Sequence, residues 1–144
     1  MSEDKKLVFE FSLPVRWADM DINGHVNNVR FFTYFEAARL AWFQSIRDRH
    51  QRNGQGPVVL KSSCHYQRSI TYPETVQIKL FAGQPGRSSF TTFYELYCKS
   101  TPGQRYAEGS ALMVWVDRAS SQSQPLPDYM LSALAKTITT SFEN

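Results

Sequence analysis

The sequence predicts a single α+β domain in which an antiparallel sheet of about five strands wraps around one long central helix. Three features predict it: a nearly continuous apolar segment of helical length at 29–43, five strand-like segments, and short turn-rich connections between the later strands. The 144 residues can bury one hydrophobic core, so we expect one domain over residues 1–144. With 42% hydrophobic and 14% aromatic residues, the chain does not have the composition of a disordered protein.

The first strand is predicted from Leu7 to Leu13, where apolar and polar residues alternate. Pro14 interrupts the pattern, which resumes over Val15 to Trp17, so we expect a bent strand. A polar loop follows from Asp19 to Asn28, and its Asn23-Gly24 pair is a strong turn signal.

The long helix is predicted to begin at Asn27 or Asn28, either of which could cap it. Its first turns are apolar nearly all round, which is typical of a helix enclosed by other structure. The helix becomes polar at 47–50 and is expected to end by Gly54 or Gly56.

Four further strands are predicted after the long helix, and short connections should make them antiparallel neighbours: Val58 to Ile70, Thr75 to Ala82, Ser88 to Lys99 and Arg105 to Asp117. A polar loop from Asp117 to Gln124 then leads to a shorter C-terminal helix, which opens at Pro127-Asp128. Its expected apolar face carries Leu131, Leu134 and Ile138.

Charge and composition restrict the partners. The net charge of +3 comes from scattered basic residues, which is too mild to indicate nucleic-acid binding. It suits an anionic small ligand such as a phosphorylated carrier, although a solvated basic surface explains it equally. No segment resembles a signal peptide or a run of about 18 apolar residues, so we expect a cytoplasmic protein without membrane insertion.

The two cysteines, Cys64 and Cys98, lack the spacing of a metal site and are expected to be buried thiols. Cys64 adjoins His65, but neighbours on a strand point to opposite faces, so the two are poorly placed as nucleophile and base. We expect neither a metal nor a cofactor.

The most informative segment runs from Arg16 to Phe31 as RWADMDINGHVNNVRF and continues into YFEAAR, which ends at Arg39. It resembles the signature of the 4-hydroxybenzoyl-CoA thioesterase-like hotdog family, and its Asp-x-Asn-x-His-x-Asn-Asn run is similar to plant acyl-carrier thioesterases. Looser similarity continues at Gly86–Ser89, Ala107–Gly109, Val116-Asp117 and Leu126-Pro127.

This resemblance implies a hotdog fold and hydrolysis of an acyl-CoA, or an acyl-carrier protein thioester, with Asp21 rather than Asp19 as the catalytic carboxylate. Two departures from the family pattern stand out: Pro73-Glu74 replaces a usual Gly-Asp, and Phe31 replaces a common tyrosine. The second removes a hydroxyl from the region of the acyl pocket, which leaves the chain-length preference open.

The residues supply a physical reason for the same assignment. Asp21 lies shortly before the start of a buried helix, whose free N–H groups and partial positive charge can stabilise an oxyanion. The N–H of Asn28 or Val29 would receive the thioester oxygen. Asp21 would attack the carbonyl carbon or activate a water as general base, and the sequence leaves both mechanisms open.

Several other residues are candidates for supporting roles. Asn23 is expected to form the turn and Asn27 to cap the helix, while His25 either supports the site or packs at a subunit boundary. Glu36 is expected to pair with Arg39 or another neighbour, although some hotdog thioesterases use a helix glutamate for catalysis. The resemblance assigns carrier contacts to Arg87, Ser88 and Ser89, which are also ordinary turn residues.

Three other functions compete with this interpretation. Asp19-x-Asp21-x-Asn23-Gly24 matches half of a calcium-binding EF-hand loop, but Arg30 stands where that loop requires a glutamate. A hotdog enoyl-CoA hydratase also uses an aspartate and a histidine, but with a spacing one residue longer. In the third alternative, a noncatalytic module that binds an acyl carrier, Asp21 would have no catalytic role.

Hotdog domains generally pair so that their sheets become continuous. We therefore expect a homodimer or a homotetramer, with the acyl site between subunits.

Overall fold

The computed structural model describes residues 4–46 and 54–143, which form five strands and two α-helices. In chain order they are β1 (Lys6–Pro14), α1 (Asn28–Ile46), β2 (Gln55–Tyr66), β3 (Thr75–Ala82), β4 (Ser89–Cys98), β5 (Arg105–Asp117) and α2 (Asp128–Ala135). The strands form one antiparallel sheet in the order β1-β3-β4-β5-β2, and α1 packs on it. The predicted α+β hotdog fold is confirmed.

The expected neighbour relation between β2 and β3 is wrong. β3, β4 and β5 follow one another across the sheet, but β2 pairs with β5 and forms the opposite edge from β1. Three strand spacings, about 14 Å, separate β2 from β3. The eight residues 67–74 span up to about 26 Å when extended, so they cross that gap easily.

Some predicted boundaries also shift. The expected strand at Val15 to Trp17 is not formed, because Trp17–Asp19 is a 3-10 turn closed by the hydrogen bond from Asp19 N–H to the Arg16 carbonyl. β2 begins at Gln55 rather than Val58 and ends at Tyr66, before Ile70. The predicted polar end of α1, at 47–50, lies outside the described residues.

The expected apolar face of α2 is also wrong in part. α2 buries Met130, Ala133 and Leu134, while Leu131 is 39% exposed. Ile138 lies beyond the helix, because α2 ends at Ala135 and the Ile138 N–H donates to the Leu7 carbonyl of β1.

The core lies between α1 and the inward-facing residues of β3 and β4, which alternate strictly with outward-facing ones. From α1 the buried residues are Phe31, Tyr34, Phe35, Ala38, Arg39 and Trp42. Phe35 stacks on Tyr94 of β4 with ring centroids 4.8 Å apart. Gly109 of β5 permits this close packing, since a Cβ there would lie 2.6 Å from the Phe35 ring.

The opposite face of α1 is exposed, so the expectation of an enclosed helix is wrong for a single chain. Val29 is 68% and Leu40 53% exposed, and Phe32 between them is also accessible. This apolar face borders β2, since it shares a cavity with Val59 and Ser62.

The two edges of the sheet differ. Along β1, Ile138 donates to the Leu7 carbonyl, and the Glu10 carboxylate accepts from the Ser141 N–H at 2.7 Å. The residues after α2 therefore cover this edge. Among the five described strands, β2 pairs only with β5, and its Val58, Val59 and Leu60 are exposed. Within residues 4–46 and 54–143, neither helix has the length and apolar character needed to cross a membrane.

Candidate active site

Asp19 anchors the loop that precedes α1. Its side chain is only 2% exposed and accepts hydrogen bonds from the Tyr34 hydroxyl at 2.8 Å and the Arg16 N–H at 3.0 Å. The guanidinium groups of Arg16 and Arg30 lie 3.3 and 3.6 Å from Oδ1. Burial opposes the charged form, but the hydrogen bonds from Arg16 and Tyr34 outweigh it and hold the Asp19 pKa below its ordinary value.

These contacts also weigh against the calcium alternative. A carboxylate already paired with two guanidinium groups has little capacity left for a cation. Across the described ranges, no cluster of three or more histidine, cysteine or acidic side chains could hold a metal ion.

Asp21 has a more open environment. Its Oδ1 accepts from the Asn23 N–H at 2.9 Å and the His25 N–H at 3.4 Å, an arrangement that fixes the carboxylate within the turn. Gly24 closes this turn with φ +77°, a backbone conformation that favours glycine. In the part of the chain that the structure describes, Oδ2 has no hydrogen-bond partner, so it is available to a ligand.

The hydrogen bonds in the first turn of α1 determine which backbone N–H groups are free to contact a ligand. Asn27 is the N-cap, since its Oδ1 accepts from the Val29 N–H at 3.1 Å. The expectation that Val29 supplies an oxyanion donor is therefore not supported, because the cap already uses its N–H. The Asn28 N–H has no acceptor among residues 4–46 and 54–143, so it is the remaining candidate donor.

Asp21 and Asn28 line one cavity of about 360 Å³, together with Asn23, His25, Phe31 and Tyr66. The Tyr66 hydroxyl, at the end of β2, donates to the Asn28 carbonyl at 3.0 Å, and its ring meets Phe31 edge to face. β2 thus holds the start of α1 in place beside the Asp21 loop.

The expected ion pair of Glu36 is absent from the described contacts. Arg39 instead donates to the Tyr94 hydroxyl at 3.0 Å, because it turns toward the sheet while Glu36 is exposed. Glu36 lies outside the Asp21 cavity and lines the groove beside β2.

The residues expected to contact the carrier lie far from Asp21 in the same chain. Ser89 pairs with Val114 on β5, whereas Tyr66, beside the Asp21 cavity, pairs with Ala107. Those two β5 positions are seven residues, or about 23 Å, apart. Arg87 donates to the Ser88 hydroxyl, and neither residue lines the cavity.

Both cysteines are thiols in the structure. Burial raises the pKa of Cys64 to about 11, and burial with the nearby Glu74 raises that of Cys98 to about 12. Because the thiolate is the nucleophilic form, neither residue is suited to nucleophilic catalysis near neutral pH.

Two residues of this region were not predicted to take part. Tyr66 contacts the start of α1 through the Asn28 carbonyl, 38 positions away along the chain. Arg39 is held beside β2 by the Tyr94 hydroxyl, 55 positions away. The sequence carries no local signal for either contact.

Comparisons with known proteins fit this geometry. A model of the thioesterase-like superfamily matches residues 15–134. The solved PA2801 protein from Pseudomonas aeruginosa, a proposed thioesterase, is 40% identical with a TM-score of 0.85, covering 90% of this chain and 100% of its own. A proposed acyl-CoA thioesterase from Xanthomonas campestris is 30% identical with a TM-score of 0.75, covering 84% and 100%.

The uncharacterised protein YsmA of Bacillus subtilis is 28% identical over 137 residues, which cover 94% of this chain and 92% of YsmA. The family match extends well beyond half of the chain and includes both the Asp21 loop and the whole of the sheet from β2 to β5. The chain therefore belongs to the thioesterase-like superfamily and is an enzyme of the thioester hydrolase class.

Proposed function

We propose that this protein hydrolyses acyl-CoA thioesters, with Asp21 as the reacting carboxylate and the Asn28 N–H as the oxyanion donor. The observation that carries this proposal is the cavity that Asp21 and Asn28 both line, since the Asp21 Oδ2 and the Asn28 N–H have no hydrogen-bond partner among the described residues. A thioester carbonyl bound in this cavity would have a carboxylate oxygen and a backbone donor available to it.

The helix start stabilises negative charge as the carbonyl carbon becomes tetrahedral. The Asn28 N–H would donate to the developing oxyanion, and the aligned peptide dipoles of α1 add partial positive charge. The Tyr66 hydroxyl donates to the carbonyl of the same residue, Asn28, so the first turn of α1 is restrained next to this donor before substrate arrives.

Asp21 can act in either of two ways. As general base it takes a proton from water, whose oxygen attacks the carbonyl carbon, and the C–S bond breaks to release CoA, which takes up the proton. As nucleophile, Oδ2 forms a mixed anhydride and releases the CoA thiolate, and water then hydrolyses the anhydride. Mass analysis of rapidly quenched enzyme distinguishes them, because only the second leaves an acyl adduct on Asp21.

We also propose that two copies pair through β2 to complete the site. Among the described strands this edge has no partner beyond β5 and exposes Val58, Val59 and Leu60, and an exposed apolar face of α1 lies beside it. Antiparallel self-pairing of β2 would bring its Gln55 end to the Tyr66 end of the second copy. That pairing would bring Arg87, Ser88 and Ser89 of the second copy toward Asp21. These residues could then bind CoA although they lie far from Asp21 within one chain.

The decisive experiment compares two aspartate-to-asparagine variants. Asp21→Asn is expected to lower kcat/KM for acyl-CoA about 100- to 10,000-fold, because the amide cannot act as base or nucleophile. Asp117→Asn is the matched control, since Asp117 also accepts a backbone N–H within a turn, that of Ser120, at the end of β5. The assay is thiol release from short, medium, long and aromatic acyl-CoAs.

Full activity of the Asp21→Asn variant would contradict the proposed role of Asp21. Hydration of an enoyl-CoA, measured in parallel, tests the alternative chemistry, and hydration without thiol release would favour it.

A further inference from the structure

Arg39 is a buried guanidinium without a carboxylate partner among the described residues. The residue is 8% exposed and donates from Nη1 to the Tyr94 hydroxyl at 3.0 Å. Tyr94 in turn shares a hydrogen bond of 2.6 Å with Thr92. The polar partner of the Arg39 guanidinium is therefore a neutral hydroxyl on β4, that of Tyr94.

The remaining donors of Arg39 face open space. Every fully buried polar side-chain atom in the described ranges has a hydrogen-bond partner, so the unpaired guanidinium nitrogens must be accessible. Two cavities of about 340 and 570 Å³ lie beside them, and both are lined by Glu36, Arg39 and Val59. Arg39 thus lies where the two cavities meet.

A ligand that displaces water from these guanidinium nitrogens binds best if it supplies an anion. The planar fork of N–H groups matches a carboxylate, and leaving the charge uncompensated once water is excluded is unfavourable. Glu36 does not neutralise it, because its exposed carboxylate forms no ion pair with a described residue.

The smaller cavity lies along α1 from Arg39 to Val29, the residue after Asn28, and its lining includes Phe32 and Phe35. It is lined by different residues from the Asp21 cavity, so an acyl group would pass over Val29 from one cavity into the other. Eleven residues separate Asn28 from Arg39, about 16 Å along α1, and helix side chains lean back toward the N-terminus. An acyl group held at Asn28 would reach Arg39 with a chain of medium length.

We propose that Arg39 binds a carboxylate at the far end of the acyl group, so that this enzyme prefers CoA thioesters of medium-length dicarboxylic acids. The inference rests on the proposed thioesterase function. Phe32 and Phe35 contact the methylene chain, and the guanidinium binds the terminal carboxylate. A plain fatty acyl group of equal length would leave the buried charge without a counter-ion.

The test compares pairs of substrates with equal chain length: adipoyl-CoA with hexanoyl-CoA, and suberoyl-CoA with octanoyl-CoA. The wild type is expected to favour one or both dicarboxylic substrates by about tenfold or more in kcat/KM, as expected for a charge-assisted hydrogen bond. Arg39→Met is expected to lower that preference about 10- to 100-fold, mainly through KM, and Arg39→Lys to retain part of it. Lys79→Met, on the outward face of β3, is the control and should keep the wild-type preference.

A second measurement does not depend on the folding of a variant. Free suberate should inhibit the wild type about tenfold more strongly than free octanoate, because the second carboxylate reaches Arg39. Equal inhibition by the two acids, or equal hydrolysis within each substrate pair, would overturn the assignment of Arg39 while leaving the thioesterase proposal intact. Failure to hydrolyse any thioester would instead reject the proposed function.

Discussion

Asp19 and Asp21 carry the same side chain two residues apart, yet the fold gives them opposite environments. Asp19 is buried and its carboxylate is surrounded by hydrogen-bond donors, whereas one oxygen of Asp21 faces a cavity. The first is suited to holding the loop and the second to contacting a ligand. Asp19 thus fixes the peptide segment on which Asp21 depends.

Asp19→Asn is expected to lower the free energy of unfolding by about 2–3 kcal/mol, because Tyr34, Arg16 and Arg30 lose a charged acceptor. Urea unfolding at neutral pH measures the change. Asp21→Asn is the control and should stay within about 0.5 kcal/mol of the wild type, since its carboxylate binds only two backbone N–H groups of an exposed turn.

The same variant has a defined pH dependence. The pKa of Asp19 in the folded protein is lowered from its ordinary 3.8, so its stabilising contribution is present above that value. The contribution is lost as the pH falls through the lowered pKa of the folded state. The difference in the free energy of unfolding between the wild type and Asp19→Asn should therefore shrink in acid. An undiminished difference at about pH 2 would contradict this account.

The sequence singles out Asp21 as the candidate carboxylate but not the backbone donor that we propose for it. The motif resemblance distinguished Asp21 from Asp19. The choice between Asn28 and Val29 depended on the rotamer of Asn27, which a sequence does not specify. In the same way, Glu36 and Arg39 have a spacing that favours an ion pair, but tertiary packing turns Arg39 toward Tyr94 instead.

At the scale of elements, α1 and the sheet approach closely at Gly109. A Cβ at this position would lie 2.6 Å from the Phe35 ring and 2.7 Å from the Ser63 carbonyl oxygen, so either the helix or β2 would have to move. The stacking of Phe35 on Tyr94 depends on this approach.

Gly109→Ala is expected to destabilise the protein by about 1–3 kcal/mol through overpacking. Gly86→Ala is the matched control, because its new Cβ would lie 3.1 Å from the movable Ser89 hydroxyl and at an ordinary 3.7 Å from the Ser89 carbonyl oxygen. Thermal unfolding compares the two, and near-ultraviolet circular dichroism reports on the Phe35–Tyr94 stack. Equal stability of the two variants would show that α1 has room to shift.

The elements that the sequence predicted best are those bounded by turn residues. β3 and β5 begin and end where expected, because Pro73 and Gly83 flank β3, Gly103 precedes β5 and a polar segment follows Asp117. The strand order was predicted less well, since placing β2 beside β5 depends on pairing between residues up to 62 positions apart, Gln55 and Asp117. The predicted apolar face of α2 was wrong in part, because the helix ends before Ile138.

For the whole molecule, the exposed apolar face of α1 and the open edge of β2 form one continuous surface. A helix that looked enclosed in the sequence is enclosed on one side only within a single chain. The other side would be covered by a second copy, and that copy would also supply Arg87, Ser88 and Ser89 to the Asp21 cavity.

Leu60→Lys is expected to convert the assembly to monomers and to lower thioesterase activity with it, because a charge on β2 disfavours pairing of this edge. Leu131→Lys is the control, since Leu131 is similarly accessible but lies on α2. Sedimentation velocity measures the assembly. A monomeric wild type with full activity would exclude a shared site.

The segment after α2 has a consequence for how many copies can join. A sheet with two free edges could add copies at both ends without limit and grow into a fibre. Here the residues after α2 bond to the Leu7 carbonyl and the Glu10 carboxylate of β1, which disfavours the addition of another strand at that edge. In the pairing proposed above, each copy would use its β2 edge once, and the residues after α2 would oppose open-ended polymerisation at β1.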